Sequence, residues 1–552
     1  MENGSMAAYW WREAVIYQVY PRSFSDGNGD GIGDLPGILS RLDYIQSLGV
    51  DAIWINPFFK SPNDDGGYDI SDYFDVQPEF GTLEDFDRLL AAAHLRGLKI
   101  VIDLVFNHSS DEHEWFNRSR SSKKGPYRDY YFWREGRDGG PPSNWPSFFG
   151  GSAWELDETT GEYYLHLFSR KQPDLNWENP AVRGEIHRIM RFWLEKGVDG
   201  IRLDVISAIS KRTGFPDADT TEFNEIIARY YANGPRLKEY IAAMRKEVFT
   251  SRKVLTVGEG PGINPGNAMD YLDKDRGLDM IFHFGHMFLD QGPGGRFDPI
   301  PWSMERFRTV FEEWDRALYP GGWGSIFLGN HDFARQVSRW GNDREHWAMS
   351  AKGILTLLLT LRGTPFIFAG DEIGMTNLTL DSISESRDVE TINGFRVAHS
   401  RGMTEEEFLL RANYAGRDNA RSPFQWNDGP NAGFSAGGSW MKVNPNKNVI
   451  NAMAQEHDPG SILNYFRSLV RMRKAEKGLV YGDMVLHEVG SLPLMVFDRL
   501  TTEAKFRIVI SFSNEAVPFP VSSEGYRSLI SNDDWSEGRP LQPWQAVVLK
   551  KS

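Results

Sequence analysis

The feature that most constrains this chain is an alternation of short apolar runs with stretches of helical period. Residues 15–20 are β-rich, after which Leu35, Ile38, Leu39, Leu42, Ile45 and Leu48 recur at helical spacing until Gly49 ends the run. Residues 52–55 form the next apolar run. Thr82 then reads as the N-cap of a helix whose inner face is Leu83, Phe86, Leu89 and Leu90, and residues 100–104 give a third run. Strands apolar on both faces, with helices between them, specify a parallel sheet covered on both sides. The alternation lapses over 109–175, a stretch rich in Ser, Gly, Asp, Trp and Tyr that reads as an inserted subdomain. It resumes at Asn179-Pro180 with a helix closed by Gly197. Further runs at 200–203, 255–258, 280–282, 325–328 and 365–369 bring the total to eight, the number a closed (β/α)₈ barrel needs.

The expected fold is therefore an α/β barrel over 1–108 and 176–480, with the subdomain 109–175 inserted after strand 3. A long polar segment, 376–460, follows strand 8, and a helix over 462–477 closes the barrel. Residues 481–552 alternate apolar and polar and read as a C-terminal antiparallel β domain. A doubly wound open sheet is the rival, with a nucleotide at its first Gly-rich turn. Here that turn carries Asp26, Asp30 and Asp34, which would repel a pyrophosphate.

Composition narrows the function. A formal net charge of -15 disfavours nucleic acid and anionic membranes as partners. With no cysteine, disulfides, thiol nucleophiles and cysteine-bound metals are excluded. No apolar run is long enough to span a membrane. MENGSMAAYW lacks the apolar stretch of a secretory leader, and Gly4-Ser5-Met6 reads as an appended segment; a cytoplasmic location is the expectation. The sequence does not choose between a monomer and a homodimer. The 18 tryptophans read mainly as core.

Barrel enzymes carry their chemistry where strands end. Strand 3 runs into Asp103, Asn107 and His108, strand 4 into Arg202 and Asp204, strand 5 into Glu259, and strand 7 into Asn330, His331 and Asp332. A single acid there is usually a cap or a structural ion pair. Several acids on one rim repel one another, a cost that function can justify and packing does not.

These motifs, DLVFNH (103–108), GIRLDVI (200–206), VGEG (257–260) and LGNHD (328–332), stand in order with YQVYPRSF, GYDISDY, QPDLNWENP, GTPFIFAGDEIGM and GRDNARSPFQW. Together they make the chain resemble the α-amylase superfamily of glycoside hydrolases, in its oligo-1,6-glucosidase and α-glucosidase branch. The resemblance spans about residues 9–480. It implies that Asp204 is the nucleophile, kept ionised by Arg202, that Glu259 is the acid/base, and that Asp332 is the carboxylate that grips sugar hydroxyls. It further implies that His108 and His331 donate to the sugar, that Tyr68 and Phe168 wall the pocket, and that Gln172 adds a polar contact. Asp69 and Arg417 are expected to pair and close the non-reducing end. Val205, beside the nucleophile, goes in this branch with preference for α-1,6 bonds.

Asp26, Asn28, Asp30, the Ile32 carbonyl and Asp34 have the oxygen spacing of a calcium loop, although Gly37 stands where a closing glutamate would. The branch carries a structural metal after strand 1, so Ca²⁺ is expected there, with Mg²⁺ as the alternative and no organic cofactor. The activity implied is a retaining, exo-acting α-glucosidase acting on small oligosaccharides. The alternatives are a sucrose isomerase or transglucosidase of the same fold, an α-1,4-preferring maltase, and a non-catalytic sugar-binding or transporter-accessory protein. Isomerases of this branch carry an Arg-Leu-Asp-Arg-Asp string before strand 7, and residues 295–302 here depart from it.

Overall fold

The computed structural model describes residues 9–250, 253–273, 275–319 and 321–552; residues 4–6 lie outside them. Eight parallel strands form a nearly closed barrel: β1 (Ile16–Val19), β2 (Ala52–Ile55), β3 (Lys99–Val105), β4 (Gly200–Asp204), β5 (Leu255–Gly258), β6 (Met280–Ile281), β7 (Ser325–Ile326) and β8 (Thr364–Phe368). Neighbours pair in chain order, and β8 returns to β1 with Phe366 opposite Ile16. Among the described residues no ladder joins β6 to β7. The Ser325 hydroxyl spans that seam by donating to the Ile281 carbonyl at 2.8 Å. β1, β2, β4, β5 and β8 are buried along their whole length, as expected of strands with helices outside and packed side chains within.

Local signals account for the helix ends. Thr82 and Asp85 form a reciprocal capping box, Asn179 caps the helix Pro180–Lys196, and Gly197 ends it at φ 107°. The apolar period over 35–48 corresponds to two short helices, Leu35–Ser40 and Leu42–Ser47, broken at Arg41. The 109–175 stretch contains a helix, Glu114–Arg120, and a three-stranded sheet of Trp133–Arg134, Glu162–Leu165 and Trp154–Asp157. Helices Val389–Ser400 and Glu405–Ala415 occupy the polar stretch after β8.

Five antiparallel strands between Asp483 and Lys551 make the C-terminal sheet, which lies against the barrel helix Trp347–Thr360. Two fully buried guanidiniums join the parts. Arg473 donates to the carbonyls of Leu359, Leu361 and Gly363, and Arg499 to those of Thr360, Val480 and Gly482. Among the described residues no helix is long and apolar enough to cross a membrane.

Candidate active site

The carboxyl ends of β3, β4, β5 and β7 bring Asp103, Asp204, Glu259 and Asp332 to one end of the barrel. Arg202 and Asp204 stand two apart on β4 and so share a face. Arg202 Nη1 donates to Asp204 Oδ1 at 2.5 Å and to Asp103 Oδ1 at 2.7 Å, while Nη2 reaches Glu259 Oε2 at 2.9 Å. One guanidinium thus engages Asp204 and Glu259 through its two terminal nitrogens. Arg202, expected beside Asp204, is there and is shared with two further acids. Burial pushes all three carboxyls upward, opposed first by the charge of Arg202. A single cation is shared among three buried carboxyls, so the proton equilibria of the three depend on one another. Asp103 also accepts from Tyr68, Trp54 and Asn56, which suits it to be the fixed anion.

Val205, directly after Asp204, adopts φ 45° and ψ 36°, a left-handed conformation that a β-branched residue seldom takes. The turn aims its N–H at Glu259 Oε2, 3.2 Å away. The backbone strain, of order 1–3 kcal/mol, therefore lies between the two carboxyls.

On the β7 side, the amides of Gln18 and Asn56 both donate to His331 Nδ1, at 2.9 and 3.3 Å. The ring hydrogen is thereby placed on Nε2, which stands 3.3 Å from Asp332 Oδ2 and has no other partner among the described residues. Burial holds His331 neutral, its pKa pushed down to about 3. Asp332 goes the other way: burial alone would raise it, but the nearby guanidiniums of Arg417 and Arg421 oppose burial and hold its carboxyl below the usual range. Tyr68 stacks on His331 with centroids 5.2 Å apart. His108 Nε2 meets the Tyr68 carbonyl at 3.1 Å and lies 3.2 Å from the Gln172 amide. Phe168 faces the His108 ring at 5.1 Å and stacks on Phe148 at 4.7 Å.

The expected pair of Asp69 with Arg417 does not form. Asp69 is fully buried, and its two oxygens accept the backbone N–H groups of Asp64 and Asp65. That turn presents Asp65 instead. Arg417 Nη2 donates to Asp65 Oδ1 at 2.9 Å, and Gln172 donates to Asp65 Oδ2 at 3.2 Å. The sequence reading also passed over Asp388, which Arg417 meets at 2.6 Å, and Arg421, which donates to Asp332 at 3.2 Å.

In the loop of Asp26, Asn28, Asp30, Ile32 and Asp34, Asp26 accepts from the backbone of Asn28, Gly29 and Gly31 and from the Ser435 hydroxyl. Asp34 caps the next helix through Gly37 N–H. The donors are hard oxygens, suited to Ca²⁺ or Mg²⁺. Burial, with the charges of Asp26 and Asp30, pushes the Asp34 carboxyl up, a strain that a cation would relieve. Among the described residues, no three acidic or histidine side chains converge as a ready-made metal cage.

A family model described as the α-amylase catalytic domain matches residues 18–482, most of the chain. The chain belongs to the α-amylase family. As a member of that family it is a glycoside hydrolase. The chain is 47% identical over 560 residues to an oligo-1,6-glucosidase of Parageobacillus thermoglucosidasius, covering 99% of each chain. Among solved structures it resembles the trehalulose synthase of Pseudomonas mesoacidophila MX-45 (44% identity, TM-score 0.94, 98% and 99% covered). It also resembles an isomaltulose synthase from Klebsiella sp. LX3 (42%, TM-score 0.95, 98% and 99% covered). The chain is thus similar both to a protein named an oligo-1,6-glucosidase and to structures named trehalulose synthase and isomaltulose synthase.

Proposed function

We propose that this chain is a retaining, exo-acting α-glucosidase that removes glucose from the non-reducing end of short α-glucosides, with α-1,6 bonds preferred. The observation that carries the reading is the Arg417–Asp65 pair, which Gln172 completes. It lies beside Asp332, and in this reading it closes one end of the site, leaving room for a single glucose unit between it and the carboxyl pair. Asp204 attacks the anomeric carbon while Glu259 protonates the departing oxygen. Glu259 then draws a proton from water as it cleaves the glucosyl–Asp204 ester. Retaining enzymes hold these carboxyls about 5–5.5 Å apart, a spacing that adjacent nitrogens of one guanidinium suit.

The similarity to sucrose-isomerising structures keeps a second reading alive, return of the glucosyl group to the leaving sugar. Against it, the Arg-Leu-Asp-Arg-Asp string is missing from 295–302. A product profile decides. With isomaltose, panose, maltose and sucrose, we expect α-glucose as the first product and few new disaccharides. First-formed β-glucose would overturn the retaining mechanism, a mainly disaccharide product from sucrose would favour isomerisation, and an early viscosity drop with amylose would overturn exo action. Action in the cytoplasm belongs to the same reading, and cell fractionation tests it. We also propose that the loop 26–34 takes a structural divalent cation, calcium in preference to magnesium, supported by its oxygen donors and by the mutual repulsion of its acids.

A further inference from the structure

Arg417 is surrounded by more acid than a sugar ligand needs. Besides Asp65, it meets Asp388, Asp332 and Glu390. A guanidinium offers five N–H groups in a rigid fork, and here they are unequally used. Nε donates to Asp388 Oδ1 at 2.7 Å and Nη2 stands 2.6 Å from the same oxygen. The other side of Nη2 goes to Asp65 at 2.9 Å. Among the described residues Nη1 has only Asp332 Oδ1, at 3.5 Å, longer than a well-made N–H···O bond of about 2.7–3.2 Å.

Asp388 is itself rigidly placed. It is fully buried at the start of the helix Val389–Ser400, and its Oδ2 accepts from Thr391 N–H at 3.1 Å and from the Thr391 hydroxyl at 2.7 Å. Its Oδ1 accepts the Glu390 N–H at 3.2 Å and is the oxygen that takes Arg417. One carboxylate thus fastens the guanidinium to the start of this helix. The ring of Phe149, 5.2 Å from the guanidinium carbon, packs against it.

We propose that Asp388 is a positioning residue for the reaction: it holds Arg417 back from Asp332, so that Nη1 and the Asp332 carboxylate both stay open to sugar hydroxyls. Without the charge at 388, the remaining anions within 4 Å besides Asp65 are Glu390 Oε2, beside Nε, and Asp332 Oδ1, beside Nη1, each at 3.5 Å, and it is Asp332 that Nη1 faces. A short charge-assisted pair would form there and occupy the carboxylate that has to grip the substrate. The inference rests on the reading of Arg417 as a sugar ligand given above.

A double-mutant cycle with glucose as competitive inhibitor tests it. Asp388→Asn should raise the glucose inhibition constant and lower kcat/KM, the latter by about 100-fold, the scale of a misplaced positioning group. In an Arg417→Ala background the same change should add nothing further. Asp388→Glu should restore part of the loss. Thr391→Val, which removes only the hydroxyl's bond to Oδ2 and keeps the backbone cap, should lower Tm and leave the inhibition constant alone. Equal losses from Asp388→Asn with and without Arg417 would overturn the proposal, as would a drop in Tm with unchanged glucose affinity. If Arg417→Ala leaves glucose inhibition as it was, the sugar-ligand reading falls, and this inference falls with it.

Discussion

Arg202 and Asp204, two positions apart on one strand, meet at 2.5 Å, and the same guanidinium reaches Glu259 at 2.9 Å. Removing that cation leaves three buried carboxyls without their shared partner. Arg202→Met should cost about 3–5 kcal/mol of stability, the range for breaking a buried pair. It should also lower kcat by roughly 10²–10³-fold, because the charge that organises nucleophile and acid is gone. Denaturant unfolding and single-turnover kinetics measure the two losses separately; a variant as active as wild type would show that Arg202 only fills space.

Asp65 and Asp69 should behave oppositely. Asp65→Ala removes the partner of Arg417 at the closed end of the pocket and should raise KM for isomaltose by about 10–100-fold, in line with a hydrogen bond to a charged group worth about 1.5–3 kcal/mol. Asp69→Asn should leave KM nearly unchanged and act on folding. Kinetics of the two variants on one substrate would expose a reversed assignment.

Asp69 also predicts a pH dependence. Burial is the main cause that pushes its carboxyl up to about 7. The folded protein holds this proton more tightly than the unfolded chain. The group's contribution to stability is therefore complete below its unfolded pKa of about 3.9 and is lost as pH rises through about 7. Across that window Asp69→Asn, which cannot ionise, should gain in Tm relative to wild type as pH rises. A difference in Tm that stays constant from pH 4 to 7 would contradict the assignment.

Val205→Thr keeps the branched shape while adding a hydroxyl beside the leaving group. Contacts in apolar pockets discriminate by about 10–200-fold, and the ratio of kcat/KM for isomaltose to that for maltose should shrink within that range. Wild-type preference for maltose would remove Val205 as the source of linkage selectivity.

If the loop 26–34 carries a cation, chelation should lower Tm and added Ca²⁺ should restore it, with a dependence on free ion that follows mass action. Asp30→Ala should abolish the response. Identical melting with and without chelator would mean that the hydrogen bonds of the loop suffice on their own.

The barrel was legible because its strands are buried on both faces and so appear as unbroken apolar runs. β6 and β7, two residues each, read longer in sequence, at 280–282 and 325–328, than their ladders. The positions of Asp204, Glu259 and Asp332 were legible because each stands in a short motif at or after a strand: Asp204 ends β4, Glu259 follows β5, and Asp332 lies six residues beyond β7. Asp65 was not: it shares one acid-rich stretch with Asp64 and Asp69, and only the turn that consumes Asp69 decides which carboxylate faces Arg417. Asp388 was hidden for a similar reason, since at the head of a helix it reads as an ordinary N-cap, and its partner lies 29 residues away.

The buried guanidiniums of Arg473 and Arg499 bear on how this protein can be cut and recombined. Their hydrogen bonds go to carbonyls around 359–363 and 479–482, segments that precede β8 or lead into the C-terminal sheet. A chain stopped at 481 would lose Arg499 and strand the carbonyls it satisfies, a desolvation penalty of about 1–3 kcal/mol for each one that stays buried. The last seventy or so residues are thus an organ of the barrel and not a removable module. Calorimetry should register one cooperative melting event, and fusions or domain exchanges would fare better at the loops of the 109–175 insertion than at the junction near 481.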